Sequence, residues 1–246
     1  MFATPADIAL IALTFVLAGI VKGVSGMGLP TVAIGLLGLL MAPAEAAALL
    51  ILPSLVTNVW QFAAGPNRLV LLRRLWPMLL AIFAVTWASA GLIAGGTAGH
   101  AALGLALGVY GIVGLAKVRI GVAKRAEPWL SPLVGAVTGV ITGATGVLVI
   151  PAAPYLQALG LDKEDLVQAL GLSFTVSTIA LAAGLASYGA FHLKAAGASL
   201  ACIIPALLGM FAGQHIRARI DAATFNLVLF IGLIVLGADL MARSLI

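Results

Sequence analysis

The stretch G-I-V-K-G-V-S-G-M-G-L-P at residues 19–30 decides the fold, because its glycine spacing returns 120 positions later in G-V-I-T-G-A-T-G-V-L-V-I-P at 139–151. Gly19, Gly23 and Gly26 align with Gly139, Gly143 and Gly146 without a gap. The same offset pairs Glu45 with Asp165, Leu52 with Leu172, Thr57 with Ser177 and Asn58 with Thr178. The chain therefore reads as two related halves. A membrane protein built that way places its substrate where the halves meet, on helices interrupted by glycine and proline.

Composition puts those halves in a bilayer. Of 246 residues, 63% are hydrophobic and only 9% charged, with a mean hydropathy of +1.20, more apolar surface than a soluble core needs. A span takes about 20 apolar residues, so the chain holds roughly eight to ten, which leaves no room for a soluble domain. The net charge of +5 is read as topology rather than nucleic-acid binding, since the cations sit in short loops between apolar runs. Met1 to Asp7 lacks a basic signal-peptide region and is read as mature protein. The single Cys202 reads as a small hydrophobe within an apolar run.

Apolar runs fall at about 7–27, 30–42, 44–64, 76–95, 98–116, 130–147, 148–160, 164–187, 195–213 and 224–242. The two short ones follow the glycine clusters and carry Pro30 or Pro151 with Pro154. A helix ending at Gly26 to Gly28 and restarting at Pro30 is expected, because glycine relaxes the backbone and proline suits a first helical turn. The expected organisation is a first transmembrane repeat over 1–116, a cytoplasmic linker over 117–129 and a second repeat over 130–246. If all ten runs cross, Arg68, Arg73, Arg74, Lys117, Arg119, Lys124, Arg125, Lys163, Arg217 and Arg219 share one side, against Lys194 and Arg243. If the short runs dip and return, the ratio is nine to three. Both put the linker in the cytoplasm. Ten crossings give inverted repeats and eight give parallel ones; the matched interrupted segments favour inversion.

The G-x-x-x-G pairs Gly19 with Gly23 and Gly135 with Gly139 have a plain reading as close helix packing. Extension to Gly26, Gly28 and Pro30 asks for more, since unwound backbone at membrane depth is tolerated only where protein or water covers it. Freed N–H groups there suit an anion, and Ser25, Thr142 and Thr145 supply hydroxyls. In the third run Ser54, Thr57, Asn58 and Gln61 share one helical face, and the second half carries Ser173, Ser177 and Thr178 with Thr175 nearby. Single hydroxyls also glue helices together, but two amides in hydrocarbon require partners and point to a hydrated site. Lys22 either snorkels to the interface or faces the anion. Glu45 and Asp165 suit the starts of helices, and Asp239 an interface.

Gly23-Val-Ser25-Gly26 also matches the G-x-S-G string of rhomboid intramembrane proteases, yet His100, His192 and His215 all fall at run edges or in loops, away from the serine. Those histidines and Cys202 offer no metal-ligand spacing, and nothing resembles an ATP-binding G-x-x-x-x-G-K-[ST].

Gly19 to Pro30 followed by the helix of Ser54 to Gln61, and Gly135 to Pro151 followed by L-G-L-S-F-T at 170–175, resemble the sulfite exporter TauE/SafE family of secondary transporters. The resemblance spans nearly the whole chain. It implies an all-α, multi-pass protein of the bacterial inner membrane that moves sulfite, sulfonates, thiosulfate or similar organic anions, with no cofactor, and leaves room for a coupling proton or sodium ion and for a homo-oligomer. The expected substrate-binding residues are Lys22, Ser25, Gly26, Gly28, Pro30, Thr57, Asn58, Gln61, Thr142, Gly143, Thr145, Gly146, Ser173, Thr175 and Ser177. The alternatives are an anion channel of the same architecture or a membrane subunit that only serves an assembly.

Overall fold

The computed structural model describes residues 4–95, 99–116, 121–217, 219 and 221–244. Among them there are twelve helices and no strand: α1 Pro5–Ser25, α2 Leu29–Leu37, α3 Pro43–Ala63, α4 Arg68–Ser89, α5 Gly91–Gly95, α6 Gly99–Ala116, α7 Glu127–Thr145, α8 Ala152–Ala158, α9 Lys163–Ser187, α10 Leu193–Ala201, α11 Ile203–Arg217 and α12 Ala222–Arg243. Seven stretches are long and apolar enough to cross a membrane: 5–25, 43–63, 68–94, 99–116, 163–187, 193–217 and 223–243. Local chemistry sets the starts. Thr4 caps α1 in a reciprocal bond with Asp7, and proline occupies the first turn of α1, α2, α3 and α7, where its missing N–H costs no helical bond.

Two boundaries differ from the apolar runs. α4 begins at Arg68, eight residues before its run, so Arg73 and Arg74 are helical rather than in a loop; long basic chains allow this by reaching toward water from an emerging helix. The run at 195–213 is two helices parted at Cys202, the C-cap of α10. α7 starts at Glu127, inside the expected linker, and Lys117 and Arg119 lie outside the described residues.

The directions of the helices can be followed from their neighbours. α1 and α3 end side by side, because Lys22 of α1 bonds Asn58 of α3 and Gln61 Nε2 donates to the Gly26 carbonyl at 3.0 Å. The short α2 between them must therefore return the chain to the far end. α3 and α9 are antiparallel, with Gly171 against Asn58 and Phe62 and Gly65 against Gln168. α6 and α12 are antiparallel too, Gly104 meeting Met241 and Gly111 meeting Phe230. α1 runs parallel to α11, through Gly19 on Ala206 and Gly23 on Met210, and α7 runs parallel to α4, through Gly135 on Met78, Gly139 on Thr86 and Gly143 on Ser89. The first helix of each half thus packs on the last part of the fourth run of the other.

The glycines at these crossings have a packing role. A β-carbon at Gly19, Gly23, Gly209 or Gly213 would strike the facing backbone, so small residues are what let the helix axes approach. Outside, Trp60, Trp76, Trp87 and Trp129 are all exposed, as are many leucines and valines of α1, α4, α6 and α12. Exposed apolar faces of this extent, with Trp60, Trp87 and Trp129 toward helix ends, match a lipid boundary.

Candidate functional site

Each glycine motif ends a helix in the same way. α1 stops at Ser25 and α7 at Thr145, with Gly26 at φ 79° and Gly146 at φ 72°, left-handed geometry that costs glycine nothing. The Gly26 N–H donates to the Lys22 carbonyl at 2.8 Å and the Gly146 N–H to the Thr142 carbonyl at 2.7 Å. Ser25 Oγ accepts from the Met27 N–H at 3.2 Å and reaches the Val21 carbonyl at 2.7 Å. Thr145 Oγ1 does the same, accepting from the Val147 N–H at 3.2 Å and donating to the Ile141 carbonyl at 2.6 Å. Ser25 and Thr145 thus hold the two breaks together. Thr142 Oγ1 donates across its break to the Val147 carbonyl at 3.2 Å. The first break is brief, with Gly28 at φ 100° capping α2 and Pro30 in its first turn. The second runs from Gly146 to Pro151 before α8 begins.

Beside the first break lies a buried basic side chain. Lys22 is 3% exposed, so it does not snorkel, and its Nζ donates to Asn58 Oδ1. Among the described residues the ion pairs are Arg74 with Glu127 and Arg243 with Asp239; no carboxylate lies within ion-pair distance of Lys22. Hydrogen-bond donors nearby are also unanswered. The other end of the same amide, Asn58 Nδ2, has no partner, and neither do the buried hydroxyls of Ser54 on the same helix or of Ser173 and Ser177 on α9; elsewhere Thr31 of α2 and Thr86 of α4, which packs beside Gly139, are unpartnered too. The antiparallel register of α3 and α9 brings Ser54 about level with Ser177, and Thr57 about level with Ser173. Thr57 and Thr175 donate to carbonyls one turn back on their own helices. A buried polar group without a partner costs about 1–3 kcal/mol, so the group on α3 and α9 marks a place that a ligand or water completes.

A polar clamp closes the linker end of the same helix pair. Gln61 Nε2 donates to the carbonyls of Gly26 and Val167, the latter at 2.8 Å, so both amide hydrogens serve the scaffold. Gln168, 1% exposed, mirrors it by donating to the Phe62 carbonyl at 2.8 Å and accepting from the Asn67 N–H at 3.1 Å. Asn67 Nδ2 donates to Asp165 Oδ1 at 2.8 Å. At the other end, Glu45 is exposed and Ser187 bonds the carbonyl of Ala183, one turn back on its own helix. Gln168 was missed in the sequence although it is an amide in an apolar run, the same signal that singled out Asn58 and Gln61. Ser199 was missed as well. Pro53 has no N–H to offer the Leu49 carbonyl, and Ser199 of α10 donates to it at 2.8 Å while accepting from the Leu52 N–H at 3.0 Å.

The remaining candidates sit apart. Glu45 and Asp165 lie in the first turns of α3 and α9. Asp239 pairs with Arg243 at the exposed end of α12, Cys202 is a buried free thiol, and His192 and His215 stand at helix ends. A groove of about 730 Å³ between α1, α2 and α12 is lined by Val21, Val32, Leu36, Val228 and Leu233. Apart from the paired Asp239 and Arg243 its lining is apolar, so it is not where the donors converge.

A family model described as sulfite exporter TauE/SafE matches residues 11–240, nearly the whole chain. No curated protein and no solved structure matches it significantly.

Proposed function

The chain belongs to the sulfite exporter TauE/SafE family, a family of membrane transporters rather than enzymes, and from that premise we propose that it is a secondary transporter of a small sulfur oxyanion working by alternating access in the bacterial inner membrane. The observation that carries this reading is Lys22: a buried basic side chain with no carboxylate within ion-pair distance among the described residues, facing an amide with a free N–H₂. A buried charge is expensive until something pairs with it. Here what surrounds the charge is a set of donors, Asn58 Nδ2 and the hydroxyls of Ser54, Ser173 and Ser177, which an oxyanion satisfies and a cation does not. The reciprocal packing of α1 on α11 and α7 on α4, with the antiparallel pairs α3·α9 and α6·α12, supports inverted repeats related by an axis in the membrane plane. The clamp through Gln61, Gln168, Asn67 and Asp165 supports a state closed at the linker end. The driving force is an ion gradient or the membrane potential, about 2.3 kcal/mol per charge per 100 mV.

The test is binding followed by flux. Sulfite or thiosulfate should raise the melting temperature of the purified protein, by about 2.7 kcal/mol of stabilisation at a hundredfold excess over Kd, while choline should not. Lys22→Gln should keep the fold and lose this response. In proteoliposomes, uptake of labelled sulfite should saturate and show counterflow. Flux linear in concentration without counterflow would make the protein a channel, and no response to any anion would overturn the anion site.

A further inference from the structure

Among the described residues, Lys22 is the only basic side chain that is buried, and the groups packed around it leave it without a counter-charge. On α11 the ionisable residues are His215 and Arg217, both exposed in its last turn. On α12, Asp239 and Arg243 satisfy each other. On α3, Glu45 sits exposed at the end opposite Asn58, and α2 has no ionisable residue. Past the helix break, Tyr110 of α6 donates to Met27 Sδ at 3.6 Å, and Asp165 of α9 is held by Asn67. A buried ammonium is costly until an opposite charge pairs with it, and nothing among the described residues does so. Asn58 Oδ1 accepts from the neutral amine as well as from the ammonium, so deprotonation weakens that bond without breaking it.

We infer that Lys22 is the coupling site, and that the proton is the coupling ion: each anion enters with one proton, which the Nζ lone pair binds. This rests on the anion site proposed above. In the empty carrier the amine is neutral. When the anion arrives, a proton from the same aqueous phase forms an N–H bond on Nζ, and the resulting ammonium offers the anion a charge-assisted hydrogen bond. With a monovalent anion the loaded site has no net charge, so crossing the membrane does no work against the potential. Release on the other side reverses the step: the N–H bond breaks, and proton and anion leave together. Neither half-loaded form is favourable, since the ammonium alone is an unpaired buried charge and the anion alone meets only neutral donors.

Proteoliposomes loaded with a pH-sensitive dye test this, using methanesulfonate and 2-hydroxyethanesulfonate as probes because these permanent anions cannot bring a proton of their own. For the wild type the lumen should acidify by one proton per anion. A potential imposed with valinomycin and potassium should leave the rate unchanged, and an inward gradient of one pH unit should accumulate the anion about tenfold. Lys22→Gln should abolish the proton movement and make any remaining flux follow the potential. A second measurement on the folded wild type needs no flux: calorimetry of thiosulfate binding in two buffers of different ionisation enthalpy should show one proton taken up per anion. Saturable uptake that follows voltage without proton movement, or thiosulfate binding without proton uptake, would overturn the coupling while leaving the anion transporter intact. Failure of every probe to bind or move would overturn the anion site and the coupling with it.

Discussion

At the scale of single residues, the distinction that matters is between polar groups that are used and polar groups that are free. Ser173 and Ser177 are buried with no partner for their hydroxyls, so Ser173→Ala and Ser177→Ala remove no protein hydrogen bond. Each should leave the melting temperature unchanged or slightly raised. Each should weaken anion binding by about tenfold or more, as expected for a lost hydrogen bond to a charged group, about 1.5–3 kcal/mol. Gln61→Leu should behave in the opposite way. It takes the donor from the Gly26 carbonyl in the helix break and the second donor from the Val167 carbonyl, and should cost about 1–3 kcal/mol if the Gly26 carbonyl stays buried, read as a lower melting temperature, with less effect on affinity at a temperature where the variant is folded. If both serine variants bind normally, the anion does not touch α9. The sequence singled out Asn58 and Gln61 by one argument, that an amide in hydrocarbon needs partners. It could not separate them, because spacing gives the face of a helix and not which backbone carbonyl another helix brings to it.

At the scale of elements, the helix breaks were legible and the pairings were not. Glycine spacing placed both breaks correctly because the cause is local: a left-handed residue, a hydroxyl one position before it, and a carbonyl one turn back. The discontinuity in α3 has a partner 146 positions from the proline that causes it, and no local pattern announces a long-range donor such as Ser199. That pair makes a double-mutant cycle. Ser199→Ala alone should cost about 1–3 kcal/mol, since the Leu49 carbonyl loses its donor inside the bundle. Pro53→Ala restores an N–H at position 53 that can take over that carbonyl. In the Pro53→Ala background the serine change should therefore cost much less, and the coupling, read from melting temperatures of the four proteins, should exceed about 0.5 kcal/mol. Strict additivity would mean that water already serves the carbonyl. The G-x-x-x-G pairs carry a similar lesson. Their plain reading as packing sites holds for Gly19, Gly23, Gly135 and Gly139, while the last glycine of each motif, Gly26 or Gly146, makes the break.

At the scale of the whole molecule, charge counting alone barely separated ten crossings from eight, because both leave most cations on the linker side. Helix directions separate them. If α2 and α8 dipped and returned, α1 and α3 would run in opposite directions; instead Lys22 meets Asn58 and Gln61 meets Gly26 where both helices end. Ten crossings put Asp162, which precedes α9, on the same side as the linker residue Lys124, whereas eight put them on opposite sides. Both positions are exposed. Single cysteines at Lys124 and Asp162, in a Cys202→Ala background, should both resist a membrane-impermeant maleimide in intact cells and both react once the membrane is permeabilised. A cysteine at His192, the residue that caps α10, should react in intact cells. Labelling at Asp162 with protection at Lys124 would restore the eight-crossing, parallel arrangement. That outcome would also dissolve the mechanism, since the clamp at the linker end and the exposed Glu45 at the other can exchange roles across the bilayer only if the halves are inverted. Reaction at Lys124 and Asp162 alone among the three would instead keep the ten crossings and turn the whole molecule over, with its ten-to-two excess of cations outside, against the rule that positive loops stay in.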